Sequence, residues 1–247
     1  VSRSVPDEPI TVTLSRQGWI RSRQGHGLDA SQFGWKSGDS ALAILEMRTT
    51  QPLVVLDTQG RAYTIRGADV PGGRGDGVPV TTLIELSSGA RVAHAFTAAP
   101  EQAYLVAGTG GYGFVATFGD MLSRVKAGKA FMSLPADEEP VAPAPVRAGS
   151  EQVAALSKAG KLLVFPLADM RTLASGRGVI VMGLDKDDAL LAVGVFTARR
   201  VVVRGTNRNG REIEVALEGE DLARHVMHRA RKGVKLAQKM KPTGFGT

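Results

Sequence analysis

Short apolar segments of four to seven residues recur along the chain and are punctuated by glycines. Some are apolar throughout, as in Leu53 to Leu56, and others alternate with polar residues, which is typical of β-strands. No stretch before residue 220 carries an apolar stripe at helical spacing over more than two turns. The pattern predicts an all-β protein, with one short helix near Leu222 to Arg231.

The predicted strands are organised in a repeat. A polar tight turn closes a strand pair in each repeat, and the turn glycines are spaced 42, 51, 49 and 50 residues apart: Gly18, Gly60, Gly111, Gly160 and Gly210. A second strand follows each of them, which predicts hairpins whose glycines adopt positive φ. In all but the first repeat there follow an aspartate (Asp69, Asp120, Asp169 or Asp221) and a loop that places glycine beside a basic residue.

Five repeats of about four strands predict a five-bladed, propeller-like array, because one such sheet cannot bury both faces alone. We expect an N-terminal linker over residues 1–9, a single domain over 10–240 and a tail over 241–247. The blades are predicted at 10–52, 53–102, 103–152, 153–200 and 201–240. The sequence leaves open whether the ring of blades is closed or broken.

Composition narrows the class of protein. The 247 residues, 43% hydrophobic and 22% charged, include no cysteine, which excludes disulfides, thiolate metal sites and thiol nucleophiles. The longest apolar run, Ala189 to Phe196, is far shorter than the roughly 20 residues that cross a bilayer. The first residues show no signal-peptide core. We therefore expect a cytoplasmic protein without a membrane partner.

The net charge of +7 favours an acidic partner such as nucleic acid. Residues 222–247 hold seven basic residues and no acidic one, so the rest of the chain is neutral overall. A site for a polyanion in that part must come from local segregation of charge.

Motifs of enzyme chemistry are weak. The Gly108 to Gly113 segment matches G-x-G-x-x-G, but a strand pattern follows where a dinucleotide site needs a helix, so a hairpin turn is predicted. His225 and His228 lack further ligands at metal spacing and are assigned to a solvated basic tail, and residues 185–188 to a polar turn. No G-x-S-x-G elbow or phosphate-binding loop is present. We expect no active site and no metal in this chain.

Several segments resemble one known family. They are Thr11–Ser22, Gly25–Ala30, Lys36–Ser40, Gly111–Phe118 and Arg124–Ala130. They are similar to the C-terminal domain of the A subunit of bacterial topoisomerase IV, a type IIA topoisomerase, and the resemblance extends over essentially the whole chain.

The resemblance implies a β-pinwheel, in which blades exchange strands, with a basic rim that binds and bends duplex DNA. The paralogous gyrase domain carries a glycine-rich basic box that wraps DNA chirally, and residues 21–27 form only a degenerate version of it. The catalytic tyrosine of the family lies outside this chain, so Tyr63, Tyr104 and Tyr112 are not expected to be nucleophiles. No cofactor is expected here, because ATP and magnesium are implied only for the whole topoisomerase.

The predicted DNA-binding residues are basic side chains beside the turn glycines, in the strands that follow them or in the glycine-bearing loops. Many hold repeat-equivalent positions, which should form one belt in a propeller. They are Arg21, Arg23, His26, Arg61, Arg66, Arg74, Arg124, Lys126, Lys129, Lys158, Lys161, Arg177, Arg208, Arg211, Arg231 and Lys232.

The favoured function is a non-catalytic domain that binds and bends DNA without reading its sequence, and positions it for strand passage in decatenation and supercoil relaxation. The implied partners are duplex DNA, the ATPase subunit and the remainder of the A subunit, in the bacterial cytoplasm at the nucleoid, with a role in chromosome segregation. Three alternatives stay open. One is a protein-interaction propeller, in which the acidic, proline-rich segment 135–149 and the last blade dock a condensin-type complex. Another is a gyrase-type wrapping domain, and the third is an enzyme with a site in the propeller channel.

Overall fold

The structure is a computed structural model that describes residues 4–73, 75–197 and 199–246. These residues form two compact units. Unit 1 comprises Val1–Pro100 and Phe118–Met132, and unit 2 comprises Glu101–Thr117 and Ser133–Thr247, both without the undescribed positions. Residues 10–240, which were predicted as a single domain, extend over both units. In the described part no helix is long and apolar enough to cross a membrane.

Strands dominate the described residues. In chain order they are β1 (Pro9–Ser15), β2 (Trp19–Gln24), β3 (Ala41–Arg48), β4 (Pro52–Asp57), β5 (Arg61–Arg66), β6 (Val78–Pro79), β7 (Val92–Phe96), β8 (Ala103–Ala107), β9 (Tyr112–Thr117), β10 (Lys129–Ala130), β11 (Ala144–Pro145), β12 (Gln152–Ser157), β13 (Lys161–Pro166), β14 (Val179–Ile180), β15 (Leu190–Phe196), β16 (Val201–Thr206), β17 (Glu212–Leu217), β18 (Val234–Lys235) and β19 (Lys241–Phe245). Five 3-10 turns lie at Ala30–Gln32, Gly67–Asp69, Val80–Thr82, Phe118–Met121 and Leu167–Asp169. One α-helix, α1, spans Gly219–Ala223 and lies nearer the N-terminus than the predicted helix.

The strands form five antiparallel sheets. Unit 1 contains the first sheet, in the order β3-β1-β2-β6, and the second, β10-β5-β4-β7. Unit 2 contains the third sheet, β11-β8-β9-β14, the fourth, β15-β12-β13-β18, and the fifth, β17-β16-β19. The all-β, five-bladed fold class is therefore confirmed, and the segment 108–113 forms a hairpin turn as predicted.

Each of the first four sheets receives one short strand from the following repeat. The strand β6 pairs with β2, β10 with β5, β14 with β9 and β18 with β13. This exchange is the defining feature of a β-pinwheel. Within the described residues the fifth sheet has three strands in place of the four that were predicted, since β17 pairs with β16 alone.

A glycine with positive φ immediately precedes each exchanged strand: Gly77, Gly128, Gly178 and Gly233. At Gly77 an added Cβ would lie 2.1 Å from the carbonyl oxygen of Ile20, and at Gly178 it would lie 2.0 Å from that of Gly113. The exchanged strand can approach its partner because these residues have no side chain. The loop glycines thus have a role inside the fold.

The core of each unit is built from the inward faces of its sheets. In unit 1, Leu14, Ile20, Leu53 and Tyr63 are buried in one cluster. Unit 2 has two clusters, one around the third and fourth sheets and one around the fourth and fifth.

Two predictions about the tail of the chain are wrong. The strand β19 lies inside the predicted tail over 241–247 and pairs with β16. Within the predicted linker over 1–9, Asp7 accepts a 2.8 Å hydrogen bond from Arg48 of the first sheet, and β1 begins at Pro9. His225 is buried, not solvated, and its Nδ1 lies 3.2 Å from the carbonyl oxygen of Leu162. Burial lowers the pKa of His225.

Candidate nucleic-acid interface

Two predicted arginines lie on β2 in the first sheet, and both are half-buried. Arg21 donates a 2.7 Å hydrogen bond to the carbonyl oxygen of Gly75 in the loop that delivers β6. Arg23 donates to the Thr13 hydroxyl at 3.1 Å and stacks on Phe33, with its guanidinium 4.3 Å from the ring centre. Burial, followed by the positive charge of Arg21, lowers the pKa of Arg23. An anion placed here would offset that repulsion.

Lys36 joins these arginines, although sequence reasoning did not select it. Its ammonium nitrogen lies 3.6 Å from the ring centre of Trp19, and Arg21, Arg23 and Lys36 line the same small pocket. Lys36 lies two residues before Gly38, which has positive φ. A basic residue close to a glycine was the sequence signal that could have identified Lys36.

The second sheet brings three predicted residues to one groove. Arg66, Arg124 and Lys126 line a cleft of about 920 Å³ in unit 1, and all three side chains are exposed. The backbone of the loop that carries Arg124 and Lys126 is fixed at two points. The Ser123 N–H donates to the Thr64 hydroxyl at 2.8 Å, and the Glu85 N–H donates to the Lys126 carbonyl oxygen at 2.9 Å. The cations are therefore presented by an anchored loop.

Arg61 is used inside the fold. Its Nε donates to the carbonyl oxygen of Ala127 at 2.6 Å, and its Nη2 donates to that of Gly128 at 3.2 Å. Together with the Arg21 contact, this shows that basic residues after the turn glycine hold the loop that delivers an exchanged strand. Lys129 is the first residue of β10 and is half-buried.

In unit 2 the basic residues at the corresponding positions of the repeat make different contacts. Arg177 stacks on Tyr112 of the third sheet, with 3.8 Å between its guanidinium and the ring centre. In the fourth sheet Lys161 and Lys232 both donate to the carboxylate of Asp185, at 2.6 and 2.7 Å. The two lysines lower the pKa of Asp185 to about 2. The predicted polar turn at 185–188 thus bridges two predicted DNA-binding residues.

The remaining predicted residues are exposed but are not gathered into one cluster. Lys158, Arg208 and Arg211 lie at hairpin turns and Arg231 lies before β18. His26 is exposed and its Nε2 lies 2.8 Å from the Met47 carbonyl oxygen. Arg74 lies outside the described residues.

The geometry does not favour catalytic chemistry at the tyrosines. Tyr63 is buried and its hydroxyl donates to Asp57 at 2.8 Å, and burial raises the pKa of Tyr63. Burial likewise raises the pKa of Tyr104. Within the described residues no three His, Cys, Asp or Glu side chains are grouped so as to hold a metal ion.

Comparison with known proteins gives consistent matches. Residues 151–197 match the family described as DNA gyrase C-terminal domain, beta-propeller. The A subunit of DNA topoisomerase 4 from Neisseria gonorrhoeae is 39% identical over 219 residues, which cover 85% of this chain and 28% of that protein. The Escherichia coli K12 protein of the same name is 37% identical over 185 residues, covering 75% of this chain and 25% of that protein. The chain thus spans about a quarter of the length of these relatives.

Solved structures match over nearly the full chain. The E. coli ParC C-terminal domain has a TM-score of 0.84 and 32% sequence identity, with 95% of this chain and 96% of that chain covered. The DNA gyrase A C-terminal domain has a TM-score of 0.69 at 19% identity, covering 96% of this chain and 80% of that chain, which supports the fold alone.

Proposed function

The chain belongs to the family of the ParC C-terminal domain, the domain that resembles it over nearly its full length, and we propose that it binds and bends duplex DNA for a topoisomerase IV. In this proposal the domain is not catalytic. It holds a duplex segment in position for strand passage, in decatenation and in relaxation of supercoils. Its partners are the ATPase subunit and the rest of the A subunit, and the ATP and magnesium requirements belong to those partners.

The observation that carries the proposal is the groove of Arg66, Arg124 and Lys126 in unit 1. Three exposed cations around one cleft can neutralise neighbouring phosphates and release counterions, which gives affinity without reading bases. The loop that presents two of them is anchored by backbone hydrogen bonds, so less conformational entropy is lost when DNA binds.

The other predicted residues divide into two roles under this proposal. Arg21 and Arg61 hold loops through part of their guanidinium groups, and the five N–H donors of an arginine leave others available to phosphate. Exposed residues such as Lys158, Arg211 and Arg231 contact phosphates directly. DNA that contacts cations on successive repeats would have to bend, which for 20–30 base pairs costs on the order of 1–6 kcal/mol. Several phosphate contacts offset that cost.

The experiment is a salt titration of binding, measured by fluorescence anisotropy of a labelled duplex of about 40 base pairs. A slope of log affinity against log salt steeper than about −5 is expected for six or more neutralised phosphates. The test variant is Arg66→Glu, Arg124→Glu, Lys126→Glu. The control variant carries the same change of charge at exposed basic residues outside the predicted set: Arg147→Glu, Lys186→Glu and Lys239→Glu.

The test variant should bind DNA more weakly, and its slope of log affinity against log salt should be shallower by roughly 2.7, the value for three phosphate contacts. The control variant should show a much smaller change in both affinity and slope. Equal losses in the two variants would mean that only net charge matters, and the groove assignment would be wrong. Absence of binding by the parent at 50 mM salt would overturn the proposed function itself.

Bending is tested separately by energy transfer between dyes at the two ends of the duplex. Binding without a change in energy transfer would refute the proposal that the domain bends DNA, but would leave the proposed DNA-binding site supported. Gyrase-type wrapping predicts, in addition, a shift in the linking number of plasmid relaxed in the presence of the domain. The degenerate box at residues 21–27 leads us to expect no such shift.

A further inference from the structure

The fifth sheet presents an open strand edge. In the other four sheets the second hairpin strand lies between the first hairpin strand and an exchanged strand, whereas in the described part of the chain β17 pairs with β16 alone. Five of the six residues of β17 are exposed or half-buried.

The backbone hydrogen bonds of the third and fourth sheets show which contacts β17 lacks in the described part of the chain. In the fourth sheet the N–H of Val164 donates to the His225 carbonyl oxygen at 2.9 Å, and its carbonyl accepts from the Met227 N–H at 2.9 Å. Val115 makes the corresponding pair of bonds in the third sheet, with Arg171 and Leu173. Glu214 holds the same place, four residues after the turn glycine. Among residues 4–73, 75–197 and 199–246 nothing pairs with the outward N–H and C=O groups of Glu214.

The exchanged strands define what fits such an edge. Each consists of a glycine with positive φ and a two-residue strand, followed by an apolar residue, as in Gly178, Val179–Ile180 and Val181. The N–H of the apolar residue donates to the carbonyl of the turn glycine in three sheets, for example from Val181 to Gly111 at 2.7 Å. Gly210 is the corresponding turn glycine beside β17.

The charged side chains around β17 determine which charge a strand that binds this edge should carry. The segment that forms and follows β17 carries five exposed acidic side chains: Glu212, Glu214, Glu218, Glu220 and Asp221. Glu214 is paired with Arg204 at 2.7 Å and Glu218 with Arg200 at 3.1 Å, whereas the other three have no ion pair within the described residues. The carboxylates without an ion pair would attract a cationic strand.

We propose that β17 is a docking edge for an extended, basic peptide of a partner protein, which adds as the fourth strand of the fifth sheet. Backbone hydrogen bonds to the edge supply affinity, as in β-strand addition generally. The flanking glutamates select lysine and arginine beside a Gly-x-x-apolar segment. The inference is independent of DNA binding.

The test uses the intact chain and a labelled synthetic peptide with the sequence of residues 224–236, which contains the segment 225–227 that bonds to Val164, the strand β18 and five lysine or arginine residues. Anisotropy should show saturable binding, and a scrambled peptide of equal charge should bind at least tenfold more weakly. Equal binding of the two peptides, or no binding at 1 mM, would overturn the proposal.

Two variants separate edge pairing from charge. Glu214→Pro removes the outward N–H, and proline is tolerated at sheet edges. Glu214→Ala is the control that removes the same carboxylate but keeps the N–H. Binding should fall at least tenfold in the proline variant and about threefold or less in the alanine variant. Equal losses would refute strand addition.

Hydrogen exchange of the unmodified protein gives a measurement that does not depend on a variant folding. The peptide should protect the amides of Glu214 and Ala216 and leave that of Val164 unchanged. A change in the exchange of Val164, whose N–H donates to the His225 carbonyl oxygen, would mean that the peptide displaces residues 225–227 from the fourth sheet. Protection of Glu214 on raising protein concentration alone would assign the edge to a second copy of the chain. Either result would overturn the proposal.

Discussion

Gly77→Ala should destabilise unit 1 far more than an ordinary substitution at positive φ. Gly77 has φ +90°, and an added Cβ would lie 2.1 Å from the Ile20 carbonyl oxygen and 2.9 Å from the Arg21 Cβ. Both contacts are with atoms that cannot swing away. The exchanged strand β6 must therefore separate from β2.

The magnitude follows from what that separation removes. A left-handed conformation for alanine costs about 1–2 kcal/mol. The Val80 N–H loses its 2.7 Å bond to the Gly18 carbonyl oxygen, about 1 kcal/mol. Val80, only 2% exposed, becomes solvated at a cost of about 1.5–3 kcal/mol. The total is about 3.5–6 kcal/mol, which is much of the stability of an ordinary domain.

The control is Gly27→Ala in the same unit. Gly27 has φ +68° and no atom within 4 Å of an added Cβ, so only the conformational cost of about 1–2 kcal/mol applies. Urea titration followed by tryptophan fluorescence suits the comparison, because Trp19 lies opposite Pro79 of β6. Equal shifts of the urea midpoint in the two variants would refute the view that close approach of the exchanged strand requires glycine.

Three further predictions concern polar groups. Because burial lowers the pKa of His225, the unfolded chain binds a proton that the folded chain resists, so the free energy of unfolding should fall as pH drops below about 6.5. His225→Gln should flatten this dependence in urea titrations from pH 7.5 to 5.5, and an unchanged slope would contradict it. The pKa of Asp185 is lowered to about 2, so Asp185→Asn should lower the melting temperature at pH 7, and its difference from the parent should shrink between pH 4 and 2 by calorimetry. A constant difference would assign the effect to something other than the carboxylate charge. Asp57→Ala should cost at least about 3 kcal/mol in urea titrations, because the Tyr63 hydroxyl and two backbone N–H groups lose their buried acceptor; a cost below about 1 kcal/mol would mean that water replaces it.

The hairpins were predictable from sequence, but the exchanged strands were not. A hairpin has a turn glycine between two apolar runs, and both signals are local. A two-residue strand such as β6 or β14 has no periodicity, and its partner lies far away in the chain. The strand β19 was assigned to a basic tail, and its sequence, Lys241 to Phe245, contains proline and glycine and shows no alternation.

The candidate site was predictable to a similar degree. The glycine-bearing loop identified Lys126, and the resemblance to the family included Arg124; the structure brings both to one groove with Arg66, another member of the predicted set. Spacing does not show what a cation touches, so the loop-holding role of Arg61 and the ring contact of Lys36 emerged only from the three-dimensional contacts. The burial of His225 was missed for the same reason, since its neighbours in the chain are exposed.

The loop before each exchanged strand contains a glycine that the fold requires and, beside it, basic residues that the proposed DNA binding requires. Its glycine serves the fold, because only a residue without a side chain allows the strand to reach its partner. Its basic residues are not needed for that approach, and in the second sheet Arg124 and Lys126 remain exposed while Arg61 holds the same loop from the strand. A repeat can therefore change its cations without losing its sheet. Among the described residues no such loop reaches the fifth sheet, and its edge strand β17 carries the exposed carboxylates of Glu212 and Glu214.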